Sequence, residues 1–243
     1  MKKTFMIPAL GLIAALCLFS CGKKDTGHLP PGNGDLNLPP LDPKLVQQGQ
    51  QVFRYETFGD ETFWTDVLHM NQVIETGVSP VTALSVGLKV DAEALPAAVV
   101  AAIQSGAADL NDPQTTLVLI KNNAVLGVKG VVSQNKDGSL KLDRMGITCA
   151  LCHSTVDNSF AAGIGKRLDG WPNRDLNPGL IISLSPALDQ ATKAVYASWG
   201  PGIYDPRYNH DGLNNPVVIP PAYGLDGLPK AIFTGDGDVQ HEP

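Results

Sequence analysis

The sequence predicts a mainly α chain with long ordered loops and one small β-hairpin. Three observations carry that expectation. Asp42-Pro43, Asp112-Pro113 and Ser185-Pro186 each place an N-cap side chain before a proline at the first helical position. The missing proline N–H costs nothing there, and the preceding oxygen accepts from the first turn. Apolar residues recur at helical spacing in several segments, and 25 glycines and 19 prolines in 243 residues put much of the remainder into turns.

Taken in order, Leu45, Val46, Gly49, Val52 and Phe53 fit one face of a helix starting at Pro43. Residues 60–77 form the strongest amphipathic segment: Phe63, Val67, Met70 and Ile74 recur on one side, flanked by Trp64, Leu68 and Asn71. Thr65, Asp66, His69 and Gln72 fall opposite, so Met70 is expected inside and His69 outside. A further helix is expected over 96–104, stopped by Gly106. "VLGVKGVVSQNKDGSLKLDRMG", beginning at Val125, predicts a hairpin turning at Asn135 to Gly138. From Pro186, Leu188, Val195 and Trp199 share a helical face, with Gly200 as the C-cap. Residues 163–179 and 201–229, dense in Gly, Pro, Asn and Asp, read as ordered loops, and no internal repeat is present.

The N-terminus, "MKKTFMIPALGLIAALCLFSC", has two lysines followed by an apolar run. This is the pattern of an export signal, and the run is short for a membrane span. "LFSC" resembles a bacterial lipobox, in which Cys21 is acylated and becomes the first mature residue. Residues 1–20 are therefore read as a lipoprotein signal peptide, 21–43 as a flexible Pro/Gly-rich linker, and 44–243 as one domain. Multiple acyl chains give stable anchoring, which places the expected protein on the periplasmic face of a bacterial membrane. Lys and Arg number 18 against 24 Asp and Glu, a net charge of −6 that becomes −8 without the signal. Nucleic acid is excluded as a partner, since it requires a basic face.

Of four cysteines, Cys17 leaves with the signal and Cys21 takes lipid, so only Cys149 and Cys152 remain, both in "GITCALCHSTVDNSF". The spacing Cys-x-x-Cys-His sets two thiols and an imidazole on one helical turn, which suits two thioether bonds to one porphyrin edge and axial ligation by His153. A thioredoxin-like dithiol would follow a buried strand in an alternating βαβ pattern, whereas "DGSLKLDRMG" is polar. A structural zinc site needs four ligands, and His69, His210 and His241 are scattered. A plain disulfide is chemically compatible with export. The expected cofactor is one covalent haem c.

The sixth iron position decides function, because a sulfur ligand suits electron transfer and an open position suits peroxide or oxygen chemistry. Met70, Met145, His69, His210 and His241 are the candidates, with Met70 preferred and His210 next. Tyr204, Tyr208 and Tyr223 are further distal groups. His153 is expected to donate its other ring N–H to a carbonyl, sought in "GWPNRDLNPG", residues 170–179. Arg167 and Arg174 are either propionate partners or surface arginines, and Trp171 either covers a haem edge or anchors its loop.

"GQQVFRYETFGDETFWTDVL", "ALSVGLKVD", "NAVLGVKGVV", "GITCALCHSTVDNSF", "GIGKRLDGWPNRDLNPG", "WGPGIYDPRYN" and "PVVIPPAYGL" resemble a family of exported bacterial c-type cytochromes, distantly similar to di-haem cytochrome c peroxidases and rubber oxygenases. The resemblance runs from about residue 44 to 236. It implies Cys149 and Cys152 as thioether sites, His153 as proximal ligand, and a cytochrome c-like helical core with large insertions. Members of that family continue to a second haem motif, absent from this sequence, so the chain is either a fragment or a shortened mono-haem protein. The leading expectation is a tethered carrier of single electrons that serves redox partner proteins in the periplasm or membrane. The alternatives are a peroxidase-like or oxygenase-like haem enzyme with an open distal site, and a dithiol/disulfide protein.

Overall fold

The computed structural model describes residues 42–223 together with the short strands at 230–231 and 237–238. The signal, Cys21, most of the linker and His241 lie outside the described residues. The first helix, α1 (Pro43–Tyr55), begins as the sequence predicts: the Asp42 carboxylate accepts from Lys44 N–H, with proline at the first position. None of its residues is buried, and Leu45 and Val46 are more than half exposed.

The segment expected as one helix over 60–77 is broken. It forms a π-helical turn (Thr62–Val67), a left-handed His69 with φ +56°, and then α2 (Met70–Gly77). The wider turn rotates the faces, so Thr65 is buried at 7% exposure while Val67 is 52% exposed. Tertiary bonding outweighs the apolar period here. Thr65 Oγ1 donates to Met145 O and accepts from Met145 N–H, both at 2.9 Å, and Ser185 Oγ donates to Leu68 O at 2.7 Å.

Next come α3 (Pro80–Ser85), β1 (Val90–Asp91), a 3-10 turn at Ala92–Ala94, α4 (Ala97–Gln104) and α5 (Pro113–Lys121). Asp112 caps α5 as expected, and Gly106 follows α4 with φ +71°. The hairpin then appears as β2 (Val128–Gln134) and β3 (Leu140–Ile147), antiparallel with a bulge at Val131/Val132, and its turn is closed by Gly138 N–H to Asn135 O. Leu117 and Ile120 of α5 and Leu142 of β3 are at most 1% exposed and form the centre of the core. Each such side chain contributes about 2 kcal/mol of burial.

The outer edge of β3 is covered by side chains rather than by another strand. Asp60 accepts from Ile147 N–H, Thr65 takes both Met145 groups, Asn71 Nδ2 donates to Leu142 O, Glu75 accepts from Leu142 N–H, and Gln114 takes both Leu140 groups. An edge satisfied in this way offers no template for pairing with another chain.

Beyond the hairpin lie α6 (Ala150–His153), β4 (Ser154–Val156), β5 (Ile164–Gly165), β6 (Arg167–Asp169), α7 (Pro178–Ser183), α8 (Gln190–Ala197), β7 (Ile203–Tyr204), α9 (Tyr208–Asp211), β8 (Val217–Val218), β9 (Lys230–Ala231) and β10 (Gly237–Asp238). The helix expected at Pro186 starts later, at Gln190, because Ser185 is spent on Leu68 and Ala187 while Asp189 accepts from Thr192 N–H.

These elements correct the expected fold class. The described residues contain five two-stranded sheets, one of them the parallel pair β1–β5, interleaved with helices of 4 to 13 residues. The chain is a mixture of α and β around a hairpin, not a mainly α fold with a cytochrome c-like helical core. Segments read as loops, 163–179 and 201–229, hold ladders of two or three residues. Such ladders are too short to show a period of two. Among the described residues no helix is long and apolar enough to cross a membrane.

Candidate functional site

Strand β3 delivers the chain directly to the motif. Thr148 fixes the entry: its N–H donates to Gly127 O at 3.0 Å and its hydroxyl to Arg54 O at 3.2 Å. A single turn follows, closed by Leu151 N–H to Thr148 O and His153 N–H to Cys149 O. Gly127 lies against this turn with φ +70°, where a Cβ would overlap the Leu151 backbone, so only glycine lets the two segments meet.

The turn sorts its residues by burial. Ala150 and Leu151 are buried in the core, whereas Cys149, Cys152 and His153 are all partly exposed. Neither cysteine is in a disulfide. Burial pushes the Cys149 thiol up, and burial together with the neighbouring Cys149 pushes Cys152 to about 12. Both are protonated thiols at neutral pH, whereas exchange and metal-ligating cysteines are activated by lowered pKa values.

His153 Nδ1 lies 2.9 Å from Pro220 O. A carbonyl only accepts, so Nδ1 carries the proton and the lone pair is on Nε2. Among the described residues nothing pairs with Nε2. Burial lowers the His153 pKa, opposed by the Pro220 carbonyl, which favours the neutral imidazole that ligation requires. The carbonyl partner expected from residues 170–179 thus comes from Pro220 instead. The 170–179 loop does reach the motif, but at Cys152, whose carbonyl accepts from Asn173 N–H at 2.8 Å.

Behind the turn, Ser154 Oγ donates to Asp169 Oδ1 at 3.0 Å, and Arg54 Nε and Nη2 both meet Asp169 Oδ2 at 2.6 Å. The charge-assisted pair ties α1 to β6 across the motif. Tyr204 is half-buried against Trp199, and burial, then the proximity of Cys152, holds its phenol above the ordinary range. Tyr196, Trp199 and Tyr208 complete an edge-to-face aromatic cluster there.

The other sequence candidates are dispersed. Met70 and Met145 are 2% and 3% exposed and line an apolar cavity with Trp64 and Leu151; His153 does not line it. His69 is partly exposed at the helix break, and His210 is exposed in α9. Arg167 is buried, with Nε 3.3 Å from Asp91 and its guanidinium over the Tyr55 ring, while Arg174 is exposed. Trp171 is 53% exposed and packs on Tyr223 at 5.3 Å between ring centroids. No three His, Cys, Asp or Glu side chains gather into a metal-binding group among the described residues.

Sequence reading missed Pro220, Asp60 and Asp169. Pro220 carried a visible signal in "VVIPPAYG", a proline pair after an apolar run. The two aspartates carried none, because their partners are 87 and 115 residues away.

The motif turn thus presents two free thiols, each partly exposed, with Cys152 packed against the core, and an imidazole whose Nε2 has no partner among the described residues; this is the donor set that thioether attachment and axial ligation of a haem would use. The chain matches no family model, no curated protein and no solved structure.

Proposed function

We propose that this chain is a c-type cytochrome, a term that names the covalent attachment and not a fold, and that it carries single electrons on the periplasmic face of a bacterial membrane. The hydrogen bond from His153 Nδ1 to Pro220 O carries the reading. It fixes the tautomer and the ring orientation, and it leaves Nε2 as the only basic atom of the motif. A dithiol exchange site would use its histidine to lower a thiol pKa, whereas burial raises both thiols here.

Thioethers at Cys149 and Cys152 and the Nε2 of His153 would hold the haem, which supplies a one-electron iron couple when bound. The protein's own part is positional. Thr148, Gly127 and Asn173 hold the turn at its entry and exit, and Pro220 raises the basicity of the ligating nitrogen. Tethering through acylated Cys21 would keep the carrier near membrane redox partners, and mass spectrometry of the mature N-terminus tests that part; an unmodified Cys21 refutes it.

The main test is the visible spectrum of the full chain expressed with a periplasmic haem-attachment system, followed by denaturing electrophoresis. The expected result is haem that survives denaturation, a c-type pyridine haemochrome and a low-spin spectrum indifferent to cyanide. A high-spin spectrum that responds to cyanide or peroxide replaces electron transfer with a peroxidase-like or oxygenase-like enzyme. A colourless protein sinks both readings and restores the dithiol.

A further inference from the structure

On the Leu151 side of the motif turn the protein holds a cavity of about 60 Å³. Its inner wall is Trp64, Met70, Met145 and Leu151, none more than 7% exposed. Its outer end lies at Thr82 and Leu184, both exposed. Thr82 alone brings a side-chain hydroxyl to the lining, and that hydroxyl is engaged 3.0 Å from Ser79 Oγ. The Trp64 indole N–H is directed to Asp60.

A buried water needs two to four polar partners, and cavities without them stay dry and accept nonpolar guests. The volume is roughly four times the ~15 Å³ that one water requires. We propose that this cavity is a dry binding site for a small nonpolar molecule of the size of dioxygen or xenon, entered between Thr82 and Leu184. The proposal is independent of haem, since it rests only on the shape and chemistry of the cavity wall.

The test is methyl NMR of the full chain, labelled at methionine, under xenon pressure. The Met70 and Met145 methyl resonances are expected to shift saturably. Leu184→Trp, at an exposed position, closes the outer end and is expected to abolish the shift or slow its onset. Val128 also lines the buried part of the cavity, and Val128→Ala, which widens it there, is expected to tighten xenon binding several-fold. Unmoved Met70 and Met145 methyls in the folded wild-type chain overturn the proposal. Water cross-peaks to both methyls do the same, because they would show a hydrated cavity. A shift that neither variant changes places xenon elsewhere and overturns it as well.

Discussion

Asp60 sits where the π-helical turn meets the last residue of β3, and both of its oxygens face Ile147 N–H at 3.1 and 3.2 Å. Desolvation raises its pKa from 3.8 to about 6, against the lowering effect of that hydrogen bond. A carboxyl that holds its proton more tightly in the native state stabilises the fold at low pH. Between pH 3.8 and about 6 the native chain binds more protons than the unfolded one, so stability falls as pH rises and the loss is complete above about 6. At 1.36 kcal/mol per unit the limit is about 3 kcal/mol, and solvent screening of a partly exposed group brings this to about 1–2 kcal/mol. Asp60→Asn keeps an oxygen to accept from Ile147 and removes the charge. Its stability relative to wild type is therefore expected to rise by about 1–2 kcal/mol between about pH 3.5 and about pH 8, read from urea denaturation of both proteins. Parallel pH profiles for the two chains would refute the reasoning.

Three further substitutions probe the same framework. Thr65→Val keeps volume but strands the Met145 N–H and carbonyl, with an expected cost of about 2–5 kcal/mol in chemical denaturation; a loss below about 0.5 kcal/mol would mean that the edge is satisfied by water. Gly127→Ala puts a Cβ into the Leu151 backbone at φ +70°. It is expected to lower the unfolding midpoint and the haem-to-protein ratio together, and a wild-type ratio would show that the motif does not depend on this approach. Met70→Ala removes a side chain that is 2% exposed and is expected to cost about 2–5 kcal/mol. If the haem-loaded chain shows a sulfur-to-iron charge-transfer band, that band is expected to survive the substitution, because Met70 lies in a cavity that His153 does not line; its loss would assign Met70 to the iron.

Local chemistry was legible where it acts over a few residues. The caps at Asp42 and Asp112, the stop after α4 and the Asn135 to Gly138 turn all depend on neighbours within one turn of chain, so the residue types alone announced them. The reading failed where distant bonds compete with local period. The apolar spacing over 60–77 is genuine, yet Thr65 gains two buried hydrogen bonds to Met145 by turning inward, and the exposure of Val67 costs about 1 kcal/mol or two in return. Ser185 shows the same competition, since its hydroxyl serves Leu68 across 117 residues instead of a helix that starts at its own position.

For the site, sequence named the three groups of the motif but not what holds them. What holds them is the covered edge of β3. Asp60, just before the π turn, and polar residues of the π turn, α2 and α5 reach that edge at Ile147, Met145, Leu142 and Leu140, so the strand is pinned along its length up to the residue before Thr148. A single four-residue helical turn such as α6 has little stability of its own, because the nucleation cost is met by only one or two internal bonds. Its geometry must be inherited from the strand that enters it and from the Asn173 and Pro220 contacts that receive it. The break at residues 62–69 is then the feature that lets Asp60 and Thr65 meet alternate residues of one strand, Ile147 and Met145. A regular helix there would turn Thr65 outward and leave the Met145 N–H and carbonyl without their partner, on the strand edge that leads into the motif turn.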